Sequence, residues 1–210
     1  MTSPRPVGAT VPIGVSNRHL HLSPADVTRL LGDGKSLTVD RMITQPGQYA
    51  AKERIDVVGP KGTLTGMRVV GPARSATQVE LALTDARTLG VTAHVANSGK
   101  LAGTEGGVTL VGPAGSVTLS SGVIVAARHL HCGPGDATRL GVSDGDWIDV
   151  VCGTGSRQVI FEGLLVRAGA AHATEVHLDT DEAAAAGVAT GDQARIVAWR
   201  PAGGGGSATP

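Results

Sequence analysis

The stretch RHLHLSPADVTRL, residues 18–30, returns as RHLHCGPGDATRL at residues 128–140, and this repeat sets the organisation of the chain. Nine of the thirteen positions are identical without a gap, and the two copies hold four of the seven histidines. Each copy follows an extended apolar stretch and leads into a proline and an aspartate, which favour the first turn of a helix. The repeat therefore predicts two related strand–turn–helix segments, and 210 residues are enough for two small domains.

The two copies predict two short helices. In the first copy, Ser23 is a typical N-cap and Pro24 a typical first residue, and the helix should end near Gly32. In the second copy, the helix should begin at Pro134 and end near Gly141.

Most of the remaining sequence is typical of short strands. The 31 glycines and 11 prolines provide frequent turns without reaching the roughly 25–30% that marks low-complexity sequence. Runs rich in Val, Ile and Thr predict strands at 11–15, 54–58, 78–83, 108–111, 117–119, 123–126, 147–151, 159–166, 175–178 and 194–198. The strands at 108–111 and 117–119 should form a hairpin, because proline and glycine lie between them. The sequence therefore predicts a mostly β protein with few helices.

Composition argues against several classes of partner. Lysine plus arginine equal aspartate plus glutamate at 18 each, and aromatic residues are 2%, so nucleic acid is not an expected partner. No apolar run approaches the roughly 20 residues of a membrane span, and the start of the chain lacks a signal-peptide core. We therefore expect a cytoplasmic protein with no membrane partner. Cys132 and Cys152 should be free thiols, although metal coordination by Cys132, beside His131, stays open.

The two histidine pairs favour metal binding. Alternate side chains of an extended segment point the same way, so His19 and His21 can converge on one point, as can His129 and His131. Imidazole is a common ligand of zinc and other transition metals, and three protein ligands with an open position form the catalytic type of site. A duplication that preserves only the strand–turn–helix scaffold is the alternative explanation.

Each pair needs a further ligand. His177 lies on the opposite face of a short strand from its two apolar neighbours, which makes it the best third histidine. Glu80 lies in an otherwise apolar strand, where an unpaired carboxylate would be costly to bury. A cation would offset that cost, and so would a salt bridge. His94 and His172 are expected to be surface or loop histidines.

At these residues the sequence resembles the PduL-type phosphotransacylases, also called phosphate propanoyltransferases. The resemblance covers nearly the whole chain, through VPIGVSNRHLHLSPAD, TQPGQYAAKERIDVVGPKG, MRVVGPARSATQVELALTDA, GVIVAARHLHCGPGD, FEGLLVR and VHLDTDEA. It implies an enzyme that reversibly converts an acyl-CoA, such as propanoyl-CoA or acetyl-CoA, and phosphate into acyl phosphate and free CoA. It also implies two zinc ions, or two ions of another divalent transition metal, as cofactors.

The resemblance assigns roles to individual residues. The implied metal ligands are His19, His21, Glu80, His129, His131 and His177. The implied catalytic residues are Arg74, at the phosphate site, and Ser98. The implied CoA site comprises Ser16, Arg41, Arg68 and His177. Ala184 stands where relatives commonly carry asparagine, which puts one minor CoA contact in doubt.

The family fold implied by the resemblance is two small β-barrels capped by short helices, with the active site at the junction between them. Residues 8–17 and 127–200 should form one barrel, 18–126 the other, and 201–210 a disordered tail. Encapsulated relatives often carry an amphipathic N-terminal extension, and the ten residues before Val11 are too short and too proline-containing for one. A cytoplasmic location is therefore expected, the lumen of a bacterial microcompartment is the alternative, and a homo-oligomer stays open.

The implied chemistry suits these residue types. Phosphate is a weak and negatively charged nucleophile, and two cations can bind it, orient it and neutralise charge in the tetrahedral intermediate. Arg74 offers a planar fork suited to phosphate oxygens, whereas Ser98 is either a hydrogen-bond donor to substrate or an ordinary turn residue. Because no Ser-His-Asp arrangement is evident, direct attack by phosphate is favoured over an acyl-enzyme.

Two other functions compete with this interpretation. A metal-dependent hydrolase of an ester or phosphoester would use the same histidine and glutamate set, with water as the nucleophile. A non-catalytic metal-binding or shell-associated module would bind metal without turnover.

Overall fold

The computed structural model describes residues 6–203. The described chain divides into two compact units, one formed by the residues up to Ser16 together with those from Arg128 onward, the other by Asn17–Ala127. Between residues 6 and 203, no helix is long and apolar enough to cross a membrane. Of the tail predicted at 201–210, residues 204–210 lie outside the described residues. Within the described part, the Ala202 N–H donates to the Asp146 carboxylate at 2.9 Å.

Fifteen strands and four α-helices form within the described residues. The strands are β1 (Thr10–Ser16), β2 (His19–His21), β3 (Val39–Met42), β4 (Tyr49–Val58), β5 (Thr63–Gly71), β6 (Gln78–Leu81), β7 (His94–Ala96), β8 (Val108–Val111), β9 (Ser116–Leu119), β10 (Val123–Ala126), β11 (His129–Cys132), β12 (Trp147–Cys152), β13 (Val159–Ala168), β14 (Glu175–Asp179) and β15 (Gln193–Arg200). The helices are α1 (Pro24–Leu31), α2 (Leu83–Leu89), α3 (Pro134–Leu140) and α4 (Thr180–Ala186). The predicted mostly β class with short helices is confirmed.

The unit that contains β1 and the C-terminal strands is a closed barrel. Its strand order is β1-β14-β11-β13-β12-β15, and β1 closes the barrel by pairing antiparallel with β15. Alternate residues of the strands fill its interior with aliphatic side chains that are fully buried. These include Ile13, Leu130, Ile148, Leu164 and Ile196.

The other unit is one curled, nine-stranded sheet. Its order is β7-β10-β6-β2-β5-β4-β8-β9, with β3 paired to β4. The described strands form a half-barrel and not a second closed barrel, so the predicted pair of barrels is one closed and one open. The core of this unit includes Leu20, Ile55, Val69, Val79 and Leu110, all fully buried.

The helix signals of the repeat are confirmed. Ser23 caps α1, since its hydroxyl accepts the Asp26 N–H at 3.1 Å, and α3 begins at Pro134 as predicted. The sequence pattern did not indicate α2 and predicted a strand that extended to Leu83. The structure ends β6 at Leu81, because the Asp85 carboxylate accepts the Ala82 N–H at 3.3 Å and starts a helix there.

The two copies of the repeat have the same strand neighbours. β2 pairs parallel with β5 and antiparallel with β6, while β11 pairs parallel with β13 and antiparallel with β14. The strand that precedes each copy is exchanged. β1 precedes the first copy but pairs with β14, and β10 precedes the second copy but pairs with β6. Each copy therefore contributes its leading strand to the sheet that holds the other copy.

We expect Gly112→Ala to destabilise the protein, because the β8–β9 hairpin lies against the last turn of α1. The Ala114 N–H donates to the Leu30 carbonyl at 3.0 Å, and a Cβ on Gly112 would lie 2.4 Å from that carbonyl oxygen. Crowding of this kind typically lowers the free energy of unfolding by about 1–3 kcal/mol. Urea unfolding measures it, with Gly135→Ala in α3 as the control, since no atom lies within 4 Å of a Cβ there. An unchanged midpoint for Gly112→Ala would contradict this packing.

Candidate active site

The first histidine pair lies on β2 and points two ring nitrogens at each other. Leu20, between them, is fully buried, so both rings lie on the other face of the strand. His21 Nδ1 is 2.9 Å from the Val70 carbonyl oxygen, and His19 Nδ1 is 2.8 Å from that of Asn17. Because a carbonyl can only accept, each Nδ1 carries the proton and each Nε2 offers a lone pair. These two Nε2 atoms are 3.2 Å apart, an arrangement that favours a shared cation.

Glu80 completes this first triad from the neighbouring strand. It stands directly opposite His19 in the β2–β6 pairing, and its carboxylate oxygens lie 3.6 Å from His19 Nε2 and 3.5 Å from His21 Nε2. Burial alone would raise the pKa of Glu80, but the His19 and His21 rings and the Ser98 hydroxyl outweigh it and hold the pKa well below its ordinary value. The three residues form a group that could hold a metal ion.

Burial also prepares the histidine ligands. It lowers the pKa of His21 to about 4, against a partial opposing effect of Glu80. Burial, together with the neighbouring His129 and His177 rings, lowers the pKa of His131. Both rings are therefore neutral near pH 7, which is the form of imidazole that binds a metal ion.

The second triad, His129, His131 and His177, lies in the closed barrel. His129 and His131 point their Nε2 atoms at each other, 2.9 Å apart, and fully buried Leu130 lies on the opposite face of β11. His177 stands directly opposite His129 in the β11–β14 pairing, and its ring centroid is 4.6 Å from that of His131. These three histidines also form a group that could hold a metal ion. The alternation predicted for His177 is confirmed, since both of its neighbours on β14 are buried.

A second sequence repeat, missed in the sequence analysis, underlies the two third ligands. TQVEL at 77–81 and TEVHL at 174–178 share Thr, Val and Leu, and they place Glu80 and His177 at equivalent positions. Alignment of these two threonine-led segments would have shown this equivalence.

The repeat extends to an ion pair beside each triad. The arginine before the first histidine pair, Arg18, contacts Asp85 at 2.9 Å, in the first turn of the helix that follows Glu80. Its counterpart Arg128 contacts Glu182 at 2.7 Å. Glu182 lies in the first turn of α4, the helix that follows the strand of His177. Each arginine thus links the start of its histidine strand to the helix that follows the strand of the third ligand.

Arg74 and Ser98 lie beside the first triad. The Ser98 hydroxyl donates to Glu80 Oε1 at 2.7 Å, and Arg74 Nη1 donates to the Ser98 oxygen at 3.1 Å. The Arg74 backbone N–H donates to the Leu22 carbonyl at 2.9 Å, which holds its loop against the end of β2. Ser98 does lie in a turn, but its hydroxyl also connects the arginine to the carboxylate of the triad.

The residues predicted for CoA are spread over both units. Ser16 ends β1 and stands beside Asp179 of β14 in the closed barrel. In the curled sheet, Arg41 is exposed on β3, whereas Arg68 Nη1 donates to Asp40 at 2.8 Å and to the Ala51 carbonyl at 2.7 Å.

The other histidines and the cysteines lie outside the triads. His94 is exposed, as predicted, with Nδ1 3.6 Å from Glu105. His172 is in a loop, as predicted, but it is half-buried, and its ring centroid lies 4.4 Å from that of His131. Both cysteines are free thiols, and Cys132 is fully buried in the barrel core, where burial raises its pKa. This position gives no support to metal coordination by Cys132.

The comparisons with known proteins concern the family of the chain and not the individual site residues. The family model described as phosphate propanoyltransferase matches residues 12–189. Proteins named phosphate propanoyltransferase are 49% identical in Thermotoga maritima, over 88% of this chain and 88% of that protein, and 49% identical in Rhodobacter capsulatus, over 86% and 83%. The one from Salmonella typhimurium is 48% identical over 84% and 83%. The expected enzyme class, a transferase, is confirmed, and the chain belongs to the phosphate propanoyltransferase family.

Proposed function

We propose that the protein is a phosphotransacylase, which converts propanoyl-CoA or acetyl-CoA and phosphate into acyl phosphate and CoA, reversibly. The single observation that carries this proposal is the first triad with Arg74 attached to it through Ser98. A metal-binding group beside an arginine suits an anionic nucleophile such as phosphate. The names of the relatives support the same reaction.

We propose that each triad holds one divalent transition metal ion, such as zinc, so that the chain carries two. The residues fit such ions, because the Nε2 atoms are 3.2 and 2.9 Å apart and two ligands of a tetrahedral zinc at about 2.0–2.1 Å lie about 3.3 Å apart. Three protein ligands leave a position open for substrate. When bound, the ions would polarise the thioester carbonyl and neutralise developing negative charge.

The residues of the chain would then position the two reactants. The Arg74 guanidinium can hold two phosphate oxygens, while its bond to Ser98 fixes one nitrogen of the fork. A phosphate oxygen attacks the carbonyl carbon directly and forms the new C–O bond of a tetrahedral intermediate, whose collapse breaks the C–S bond and releases CoA as its thiolate. Exposed Arg41 offers a cation for the CoA phosphates, and Arg68 and Ser16 are the other proposed CoA contacts.

A hydrolase would use water in place of phosphate, and membership of a transferase family does not favour it. We expect release of the CoA thiol from propanoyl-CoA to require phosphate, with acyl phosphate formed in equal amount. A thiol reagent and an acyl phosphate assay on metal-loaded protein measure the two products. Thiol release without phosphate would support the hydrolase, and bound metal without any release would support a non-catalytic module.

We expect about two metal ions per chain. A substitution that removes one ligand from one triad should remove the ion of that triad and leave the other ion bound. His21→Ala should lose the ion of the first triad and His177→Ala that of the second, and both changes should greatly lower activity. His94→Ala and His172→Ala are the matched controls, because neither ring belongs to a triad. Elemental analysis after dialysis measures the content. One ion or none in active wild-type protein would contradict the proposed pair of ions.

Arg74→Lys should keep both metal ions and the fold but lose much of the rate, because a point charge replaces a two-pronged donor. Loss of one charge-assisted contact in the transition state costs about 2–4 kcal/mol, or roughly 30- to 1000-fold in turnover. Steady-state kinetics with varied phosphate measures kcat and KM. The control is Arg87→Lys, the same exchange at an exposed position of α2. Unchanged kcat and phosphate KM in Arg74→Lys would remove the arginine from the phosphate site.

A further inference from the structure

We propose that Glu175 is a positioning residue that sets the ring orientation and the protonated nitrogen of His177, so that His177 presents its Nδ1 lone pair to a metal ion. The inference rests on the second triad as a metal site, as proposed above. It adds a residue to the site that the resemblance does not indicate.

The contact itself is short and buried. Glu175 is 8% exposed, and its Oε2 lies 2.7 Å from His177 Nε2. A carboxylate accepts hydrogen bonds, so the proton of His177 lies on Nε2 and the lone pair on Nδ1. Carboxylate partners of this kind commonly orient metal-binding histidines and raise their basicity as ligands.

Gly14 shows that the fold keeps space for this carboxylate. Gly14 pairs with His177 in the β1–β14 register, and a Cβ on it would lie 2.4 Å from the Glu175 carboxyl carbon and 2.5 Å from Oε2. The φ of Gly14 is not positive, so the backbone itself does not require glycine. At the equivalent position beside Glu80, β10 carries Ile124. Glycine in β1 is therefore explained by the carboxylate and not by the strand.

The first triad contains the complementary arrangement. Gln78 precedes Glu80 by two residues, as Glu175 precedes His177, and stands opposite His21 as Glu175 stands opposite His131. The Gly99 N–H donates to Gln78 Oε1 at 3.0 Å, which directs the amide Nε2 to Glu80 Oε1 at 2.5 Å. The carboxylate ligand Glu80 thus has a hydrogen-bond donor two residues before it, and the imidazole ligand His177 has an acceptor, Glu175, at the same spacing. This matched polarity supports a positioning role at both places.

Glu175 is not an extra ligand of the second triad. The group whose ligand atoms all lie within 4.8 Å of one another contains His129, His131 and His177 but not Glu175. Its carboxylate lies instead against Gly14 of β1, the neighbour of β14 on the other side from β11. The carboxylate therefore acts on a metal ion through His177.

The test measures zinc affinity at the second triad alone. In a His21→Ala background, which removes the first site, competition with a chromophoric chelator should show a fall of about 10- to 100-fold for Glu175→Gln. Gly14→Ala should also weaken zinc binding, because it displaces the carboxylate without removing an ionisable group. Glu162→Gln, the same exchange at an exposed position of β13, and Gly135→Ala are the matched controls and should leave affinity unchanged.

A second measurement needs no metal. Side-chain ¹⁵N NMR of the metal-free protein should show His177 with its proton on Nε2, and Glu175→Ala should abolish that preference. A proton on Nδ1 in the wild type, or unchanged zinc affinity in both Glu175→Gln and Gly14→Ala, would overturn the positioning role. Absence of zinc binding by the wild type, with the Nε2 proton observed, would instead overturn the proposed metal site and leave the Glu175 contact standing.

Discussion

The antiparallel pairing of β2 with β6, and of β11 with β14, is the constraint on which the candidate site depends. It sets His19 opposite Glu80 and His129 opposite His177. Because side chains alternate along a strand, a slip of one residue in either pair would exchange the third ligand for a valine or leucine neighbour. The leucine between the two histidines of each copy is fully buried, so burial of apolar side chains on one face fixes the ligand geometry on the other.

Burial has a second effect at the same strands. A buried imidazolium is costly, so burial lowers the pKa of His21 and of His131 and keeps their lone pairs available. Backbone carbonyls accept the other ring proton of His19 and His21, and no equivalent carbonyl contact is seen at His131, whose Nδ1 has no hydrogen-bond partner among residues 6–203. Backbone carbonyls thus orient both histidines of the first triad, whereas in the second triad a side chain, Glu175, contacts His177.

The sequence predicted those features that depend on local periodicity. The period of two along RHLH placed His19 beside His21, and the same alternation singled out His177 among the unrepeated histidines. The cap at Ser23 and the proline of the second copy located two helices. Contacts between distant strands could not be predicted in this way: the space left by Gly14 depends on pairing with β14 far along the chain. Closure of only one unit into a barrel likewise depends on which edges meet, as β1 meets β15.

The exchange of leading strands makes the barrel depend on both ends of the chain. β1 precedes the first copy of the repeat but pairs with β14 and β15, which follow the second copy. A chain synthesised only as far as Ala127 therefore contains β1 without either of its partners, and the barrel can close only when β15 is available. The curled sheet has no such requirement, because β10 pairs with β6 within the first 127 residues.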